Sequence, residues 1–163
     1  MPYDVIVTMA FSPDSRSLAY AVESDVNHPE GFAYFVVVNR KPEKVYETVV
    51  YQSILFSPDS RRMAYEAEAH DEFFVVADGK EEKHYSDVVN GTMQFSPDNR
   101  RLAYVSDRDT SRYVVVDGKE SQEYETVSPV VFDGPRRTRF LATRYDESFN
   151  REMLRVEIEI VEE

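Results

Sequence analysis

The chain has 163 residues, enough for a domain with a real core, and its 42% apolar and 13% aromatic content sets it apart from disordered acidic tails. A net charge of −12 argues against nucleic acid and anionic membranes, which need a basic footprint, and leaves a basic partner, a metal or a neutral ligand. The absence of cysteine removes disulfides, thiolate metal sites and cysteine nucleophiles, and no apolar run approaches the length of a membrane span.

The opening "MPYDVIVTMAFSPD" has no basic region ahead of an apolar stretch, so it does not read as a signal peptide. The expectation is a soluble chain, cytoplasmic, or periplasmic if a signal was removed. This opening runs into "FSPDSRSLAY" at 11–20, which returns as "FSPDSRRMAY" at 56–65 and "FSPDNRRLAY" at 95–104. A worn fourth copy, "FDGPRRTRFLATRYDES", begins at Phe132 and loses the Ser-Pro-Asp. The copies recur about every 40 residues.

Each copy reads as four short strands, a to d. Strand a ends at Phe11, Phe56, Phe95 or Phe132. Pro13, Pro58 and Pro97 then preset φ for a tight turn and remove a ladder donor, and the Asp after each can accept from nearby backbone amides. Strand b carries "SLAYAVES", "RMAYEAEA" or "RLAYVSDR". Strand c is a β-branched or aromatic run, "YFVVVNRK", "FFVVADGK" or "YVVVDGKE". Asp78-Gly79 and Asp117-Gly118 close it with a strong hairpin signal, and Asn39-Arg40 is the poorer version because Arg resists positive φ. Strand d carries the lone tyrosine of "VYETVV", "YSDVV" and "YETVS". No helical period competes.

Four strands per copy and hairpin turns throughout predict an all-β fold: a β-propeller of four four-stranded antiparallel blades. The expected single domain covers 1–163, with repeats over 7–51, 52–90, 91–129 and 130–163 plus 1–6. "FSPDNRRLAYVSDRDTSRYVVVD" at 95–117 resembles the repeat of the TolB-type, WD-repeat-like propeller family, and three of the four copies share the pattern. That resemblance implies a propeller that binds proteins or peptides, or one that accompanies a catalytic domain.

The C-terminal "MLRVEIEIVEE" matches strand c of the fourth copy, and "PYDVIV" near the N-terminus aligns with the strand d segment "VYETVV". This register predicts that the N-terminal strand, Met1 to Ile6, closes the last blade. Three arrangements satisfy it: a monomer closing on itself, a dimer in which each N-terminus completes its neighbour's ring, and a fragment of a larger propeller.

The repeated Phe, Leu-Ala-Tyr, Pro, Asp-Gly and Tyr belong to the fold, so function is expected where copies differ. In a propeller the b–c and d–a loops share one face. The a–b and c–d turns hold most of the basic residues, among them Arg16, Arg62, Arg101, Lys41 and Lys80, while the b–c loops are acidic. The first b–c loop, within "ESDVNHPEG", is longer than its counterparts. The candidate binding residues are His28 and Glu30 in that loop, His70 and Asp71 in copy two, Asp107, Arg108 and Asp109 in copy three, and Asp146 and Glu147 in copy four. Gln52, Asn90 and Thr92 are expected to rim the channel mouth.

His28 or His70 with nearby carboxylates could hold zinc, but no ligand spacing accompanies them, and no metal or other cofactor is expected. There is no G-x-S-x-G elbow and no phosphate-cradling glycine loop. A carboxylate pair for glycoside hydrolysis carries no sequence signature. The expectation is therefore a non-catalytic module binding a protein or peptide, a basic one included, through its acidic loop face. The alternative is a small-molecule or carbohydrate-binding or carbohydrate-active propeller, a carboxylate-based hydrolase among them, using the channel mouth.

Overall fold

The computed structural model describes residues 5–24 and 33–160. They form four antiparallel sheets of four or five strands, and the described residues include no helix. The chain divides into two compact units, Met1–His84 and Tyr85–Glu163, each with two sheets.

In the first unit, β1 (Val5–Phe11), β2 (Leu18–Ser24), β3 (Ala33–Val38) and β4 (Lys41–Tyr46) form a simple meander. The second sheet contains β5 (Thr48–Val49), β6 (Leu55–Phe56), β7 (Met63–Ala69), β8 (Glu72–Ala77) and β9 (Lys80–Glu81). Both β5 and β6 pair with β7, so together they are one strand a, broken in the middle.

In the second unit, β10 (Asp87–Val88), β11 (Gln94–Phe95), β12 (Leu102–Arg108), β13 (Ser111–Val116) and β14 (Lys119–Glu120) repeat that broken pattern. The last sheet has β15 (Thr126–Val127), β16 (Val131–Phe132), β17 (Arg137–Tyr145) and β18 (Arg151–Glu159). The all-β class, the repeated four-strand blade and the strand a that ends at each phenylalanine are as the repeat predicts.

Two expectations change. "VYETVV" is not one strand: Tyr46 ends β4, while Thr48 and Val49 pair with Glu68 and Ala67 of the next sheet. The chain changes sheets at Glu47, directly after the repeated tyrosine. Val5 and Ile6, expected on the last blade, instead pair with Glu23 and Val22, because β1 continues past a bulge between Ile6 and Thr8. Met1–Asp4 lie outside the described residues.

The turn chemistry explains why the Ser-Pro-Asp phrase repeats. The Ser12 hydroxyl donates to Asp14 Oδ1 at 2.7 Å and accepts from the Ser17 amide at 2.9 Å. Asp14 Oδ1 also accepts from the Arg16 amide at 3.0 Å. Ser57 with Asp59, and Ser96 with Asp98, make the same bonds. The turn therefore satisfies its backbone donors with two side chains from one four-residue phrase. The three serines are buried, so each hydroxyl must be partnered. Ser15, Ser60 and Asn99 sit at positive φ in the same turns. In the fourth copy Gly134 (φ +108) takes the turn, and the Asp133 amide donates to the Arg137 carbonyl at 2.8 Å.

Each unit has its own core. In the first, Ala19, Ala21 and Val36 pack against Tyr65, Ala67, Phe74 and Val76. The Tyr46 ring meets Phe74 edge-on at 5.5 Å between centroids. In the second, Ala103, Val105, Val114 and Val116 pack with Phe140 and Ala142, and Tyr124 meets Phe140 edge-on at 5.6 Å. The lone tyrosine of strand d thus packs against the next sheet in its unit. Such aromatic pairs contribute about 0.5–1.5 kcal/mol beyond area burial.

Candidate functional site

The candidate loops are positioned by the residue after each lone tyrosine. In the first unit His70 and Asp71 are the two central residues of the β7–β8 hairpin, both at positive φ (57 and 61), as a type I′ turn requires. The His70 amide donates to Glu47 Oε2 at 3.0 Å. In the second unit Ser86, the counterpart of Glu47, accepts from the Asp109 amide at 3.2 Å and donates to the Asp107 carbonyl at 2.8 Å. Glu125, the next counterpart, binds Arg151 with two contacts of 2.8 and 2.7 Å. A d–a residue therefore holds a b–c turn in three sheets, a role that the repeat alignment did not reveal.

The second unit concentrates carboxylates at one such turn. Asp87 lies directly opposite Asp107 in the β10–β12 pairing, and Asp109 follows in the hairpin. Arg112 neutralises Asp107 in part, its Nε at 3.0 Å from Oδ1. Asp87 reaches solvent, yet the surrounding protein and then the Asp107 charge hold its carboxyl above the ordinary range. Like charges directly opposite in a sheet are unfavourable, a cost that the Arg112 guanidinium on Asp107 offsets in part.

Other candidates are engaged within their own loops. Asp146 is exposed, but its Oδ1 accepts from the Ser148 and Asn150 amides, both at 2.8 Å, and the Asn150 bond holds its carboxyl below the usual range. Glu147 beside it is exposed. Arg108 extends toward strand d: it bonds Glu120 at 2.6 Å and lies over the Tyr85 and Tyr113 rings at 5.5 and 5.2 Å. His28 and Glu30 lie outside the described residues.

The residues expected at a channel mouth occupy the break in strand a. Thr92 is buried; its hydroxyl donates to the Val89 carbonyl at 2.6 Å and accepts from the Val105 amide at 3.0 Å. Ser53 does the same with Val50 and Glu66, at 2.7 and 3.1 Å. These hydroxyls clip a two-part strand to its neighbour. Asn90 is exposed in the turn that Thr92 closes, beside Gly91 at φ +74. Gln52 holds the position of Gly91 at φ 60, and its amide donates to Thr8 Oγ1 at 3.3 Å.

The expected basic turns are also partly spent. Arg62 Nε donates to Asp78 Oδ2, and an Arg101 guanidinium nitrogen to Asp117 Oδ2, each at 2.8 Å. His84 stacks on Phe74 at 4.2 Å and places Nδ1 3.1 Å from Glu72. Among the described residues no group of three or more His, Asp or Glu is arranged to hold a metal ion, and no helix is long and apolar enough to cross a membrane.

No protein-family model and no curated protein matches the chain. Among solved structures it is similar to the β-propeller domain of the Trilobed protease from Pyrococcus furiosus, described as having an open velcro topology. That similarity is at 14% identity and a TM-score of 0.49, over 88% of this chain and 51% of that one. A putative 6-phosphogluconolactonase from Bacteroides uniformis is similar at 13% identity and a TM-score of 0.37, over 95% of this chain and 55% of that one. The chain thus spans about half the length of these two structures.

Proposed function

We propose that this chain is a non-catalytic interaction module of propeller type that receives a basic protein or peptide segment on its acidic b–c loops. The observation that carries this reading is the opposition of Asp87 and Asp107, with Asp109 in the adjoining hairpin. A lysine or arginine placed there offsets the loss of solvent and, after it, the Asp107 charge that together hold the Asp87 carboxyl up. Supporting it, the Ser-Pro-Asp repeats resemble those of TolB-type propellers, domains that typically bind proteins or peptides or accompany a catalytic domain. The net charge of −12 favours fast encounter with a basic partner.

The test is fluorescence anisotropy of a labelled Lys/Arg-rich peptide, with a Glu-rich peptide as control. The basic peptide should bind at low salt, weaken as salt rises, and lose about three- to tenfold in affinity with Asp87→Asn/Asp109→Asn, mainly through slower association. Equal binding of both peptides, or binding that the double variant leaves unchanged, overturns the assignment.

A further inference from the structure

Strand β18 is paired with β17 along its whole length, from Tyr145 opposite Arg151 to Arg137 opposite Glu159. Among the described residues no strand pairs with its other edge. In the other three sheets the corresponding strands, β3, β8 and β13, each have a further neighbour, β4, β9 and β14. A long straight edge of this kind presents a row of free backbone donors and acceptors. The strand "REMLRVEIE" contains no proline or glycine that would blunt it.

The side chains of β18 alternate cleanly. Arg151, Met153, Arg155, Glu157 and Glu159 are exposed, and Glu152, Leu154, Val156 and Ile158 are half-buried on the opposite side. Beside the strand runs a groove of about 660 Å³, lined by Val116, Tyr124, Val156 and Ile158 among others. These apolar residues share the groove with Arg101, Asp117, Lys119 and Glu120, so an edge strand beside it is suited to a second extended segment that alternates apolar and charged side chains.

The sequence of β18 supplies such a segment. With a two-fold axis through Val156, an antiparallel pair of β18 strands places Val156 opposite its own copy and Leu154 opposite Ile158 of the second chain. On the exposed side the same register sets Arg155 of each chain opposite Glu157 of the other. Moving the axis by one residue sets Arg155 against Arg155 or Glu157 against Glu157, which like-charge repulsion disfavours. Arg155 and Glu157 now contact each other within one strand at 2.9 Å, so both charges already sit on the face where the cross-strand pairs form.

From this self-complementarity we propose that β18 is a docking edge for a second copy of this chain, joined as a two-fold antiparallel β18–β18 pair in a register fixed by reciprocal Arg155–Glu157 contacts. The contact is isologous and closed, so it yields dimers rather than filaments. Its register uses none of Asp87, Asp107 and Asp109.

The experiment is light scattering and analytical ultracentrifugation of the full chain over a wide dilution series. The wild type should show a reversible dimer. Arg155→Glu and Glu157→Arg should each raise the dimer dissociation constant about tenfold or more, and the double reversal R155E/E157R should bring it back toward the wild-type value. Circular dichroism melts of each variant at monomer concentrations verify folding, and hydrogen exchange should show β18 amides gaining protection with concentration. A wild type that remains a single chain at every concentration overturns the proposal. So does a dimer that neither reversal weakens, or a double reversal that fails to recover. If removal of residues 1–4 is required before dimers appear, the chain's own N-terminal segment occupies the edge, and the second copy is not the natural occupant.

Discussion

Arg62 and Asp78 face each other across the end of one sheet, with Nε 2.8 Å from Oδ2. The other oxygen of Asp78 accepts from the Met63 amide at 3.0 Å, which ties the c–d hairpin to the start of strand b. Arg101, Asp117 and the Leu102 amide repeat this triangle. In the first sheet, where no Arg occupies the position, Asn39 replaces the Asp: its Oδ1 accepts from the Leu18 amide at 3.1 Å and its Nδ2 donates to Ser17 Oγ at 3.1 Å. The hairpin residue thus changes together with its partner, and the amide bond is the part kept in all three.

This division of labour predicts unequal costs. Asp78→Ala removes an acceptor from a backbone amide and forces alanine to φ near +52, and should cost about 1–3 kcal/mol in a urea melt. Asp78→Asn keeps the amide bond and should cost about 0–1 kcal/mol, the worth of a partly exposed ion pair. Equal losses for the two variants would assign the stability to the ion pair.

Ser96→Ala should cost about 1–3 kcal/mol, because the buried hydroxyl serves both the Arg101 amide and Asp98. The serine hydroxyls of the three turns hold the carboxyls of Asp14, Asp59 and Asp98 below their ordinary value of 3.8. A carboxyl depressed in the folded state stabilises it above the unfolded pKa and loses that contribution as pH falls through the folded pKa. Melting temperature should therefore drop as pH falls below about 4, and the triple Asn variant should show a shallower drop over that window.

Asp87 has the opposite sign. Its carboxyl is raised, so the ionised group destabilises the fold above the folded pKa, and the penalty disappears as pH falls below the unfolded value of 3.8. Asp87→Asn should stabilise the chain at neutral pH by less than about 1 kcal/mol, solvent screening being considerable there. The difference from wild type should close in acid. A variant less stable than wild type at pH 7 would show that Asp87 serves the fold rather than a partner.

Arg40 occupies the turn position that Gly79 and Gly118 hold in the next two sheets, at φ 72. Arg40→Gly should raise stability by about 1 kcal/mol by removing left-handed strain from a residue with a Cβ. An unchanged or lower melting temperature would mean that the arginine side chain makes a compensating contact.

Four things were legible in sequence: the all-β class, the blade repeat, the end of strand a at each phenylalanine, and the two-residue hairpins at Asp78-Gly79 and Asp117-Gly118. Each rests on bonds within a few residues, such as Ser96 to Asp98 and to the Arg101 amide, so local spacing encodes it. The break in strand a and the change of sheet at Glu47 were not legible. They depend on Thr92 reaching the Val105 amide and Ser53 the Glu66 amide, each thirteen residues away, through sheet register. The same holds for the candidate site. Composition identified acidic loops, but register decided that Asp87 opposes Asp107 and that Arg108 turns to Glu120. Short-range turn chemistry is written in the order of residues, whereas long-range pairing decides which charges face each other.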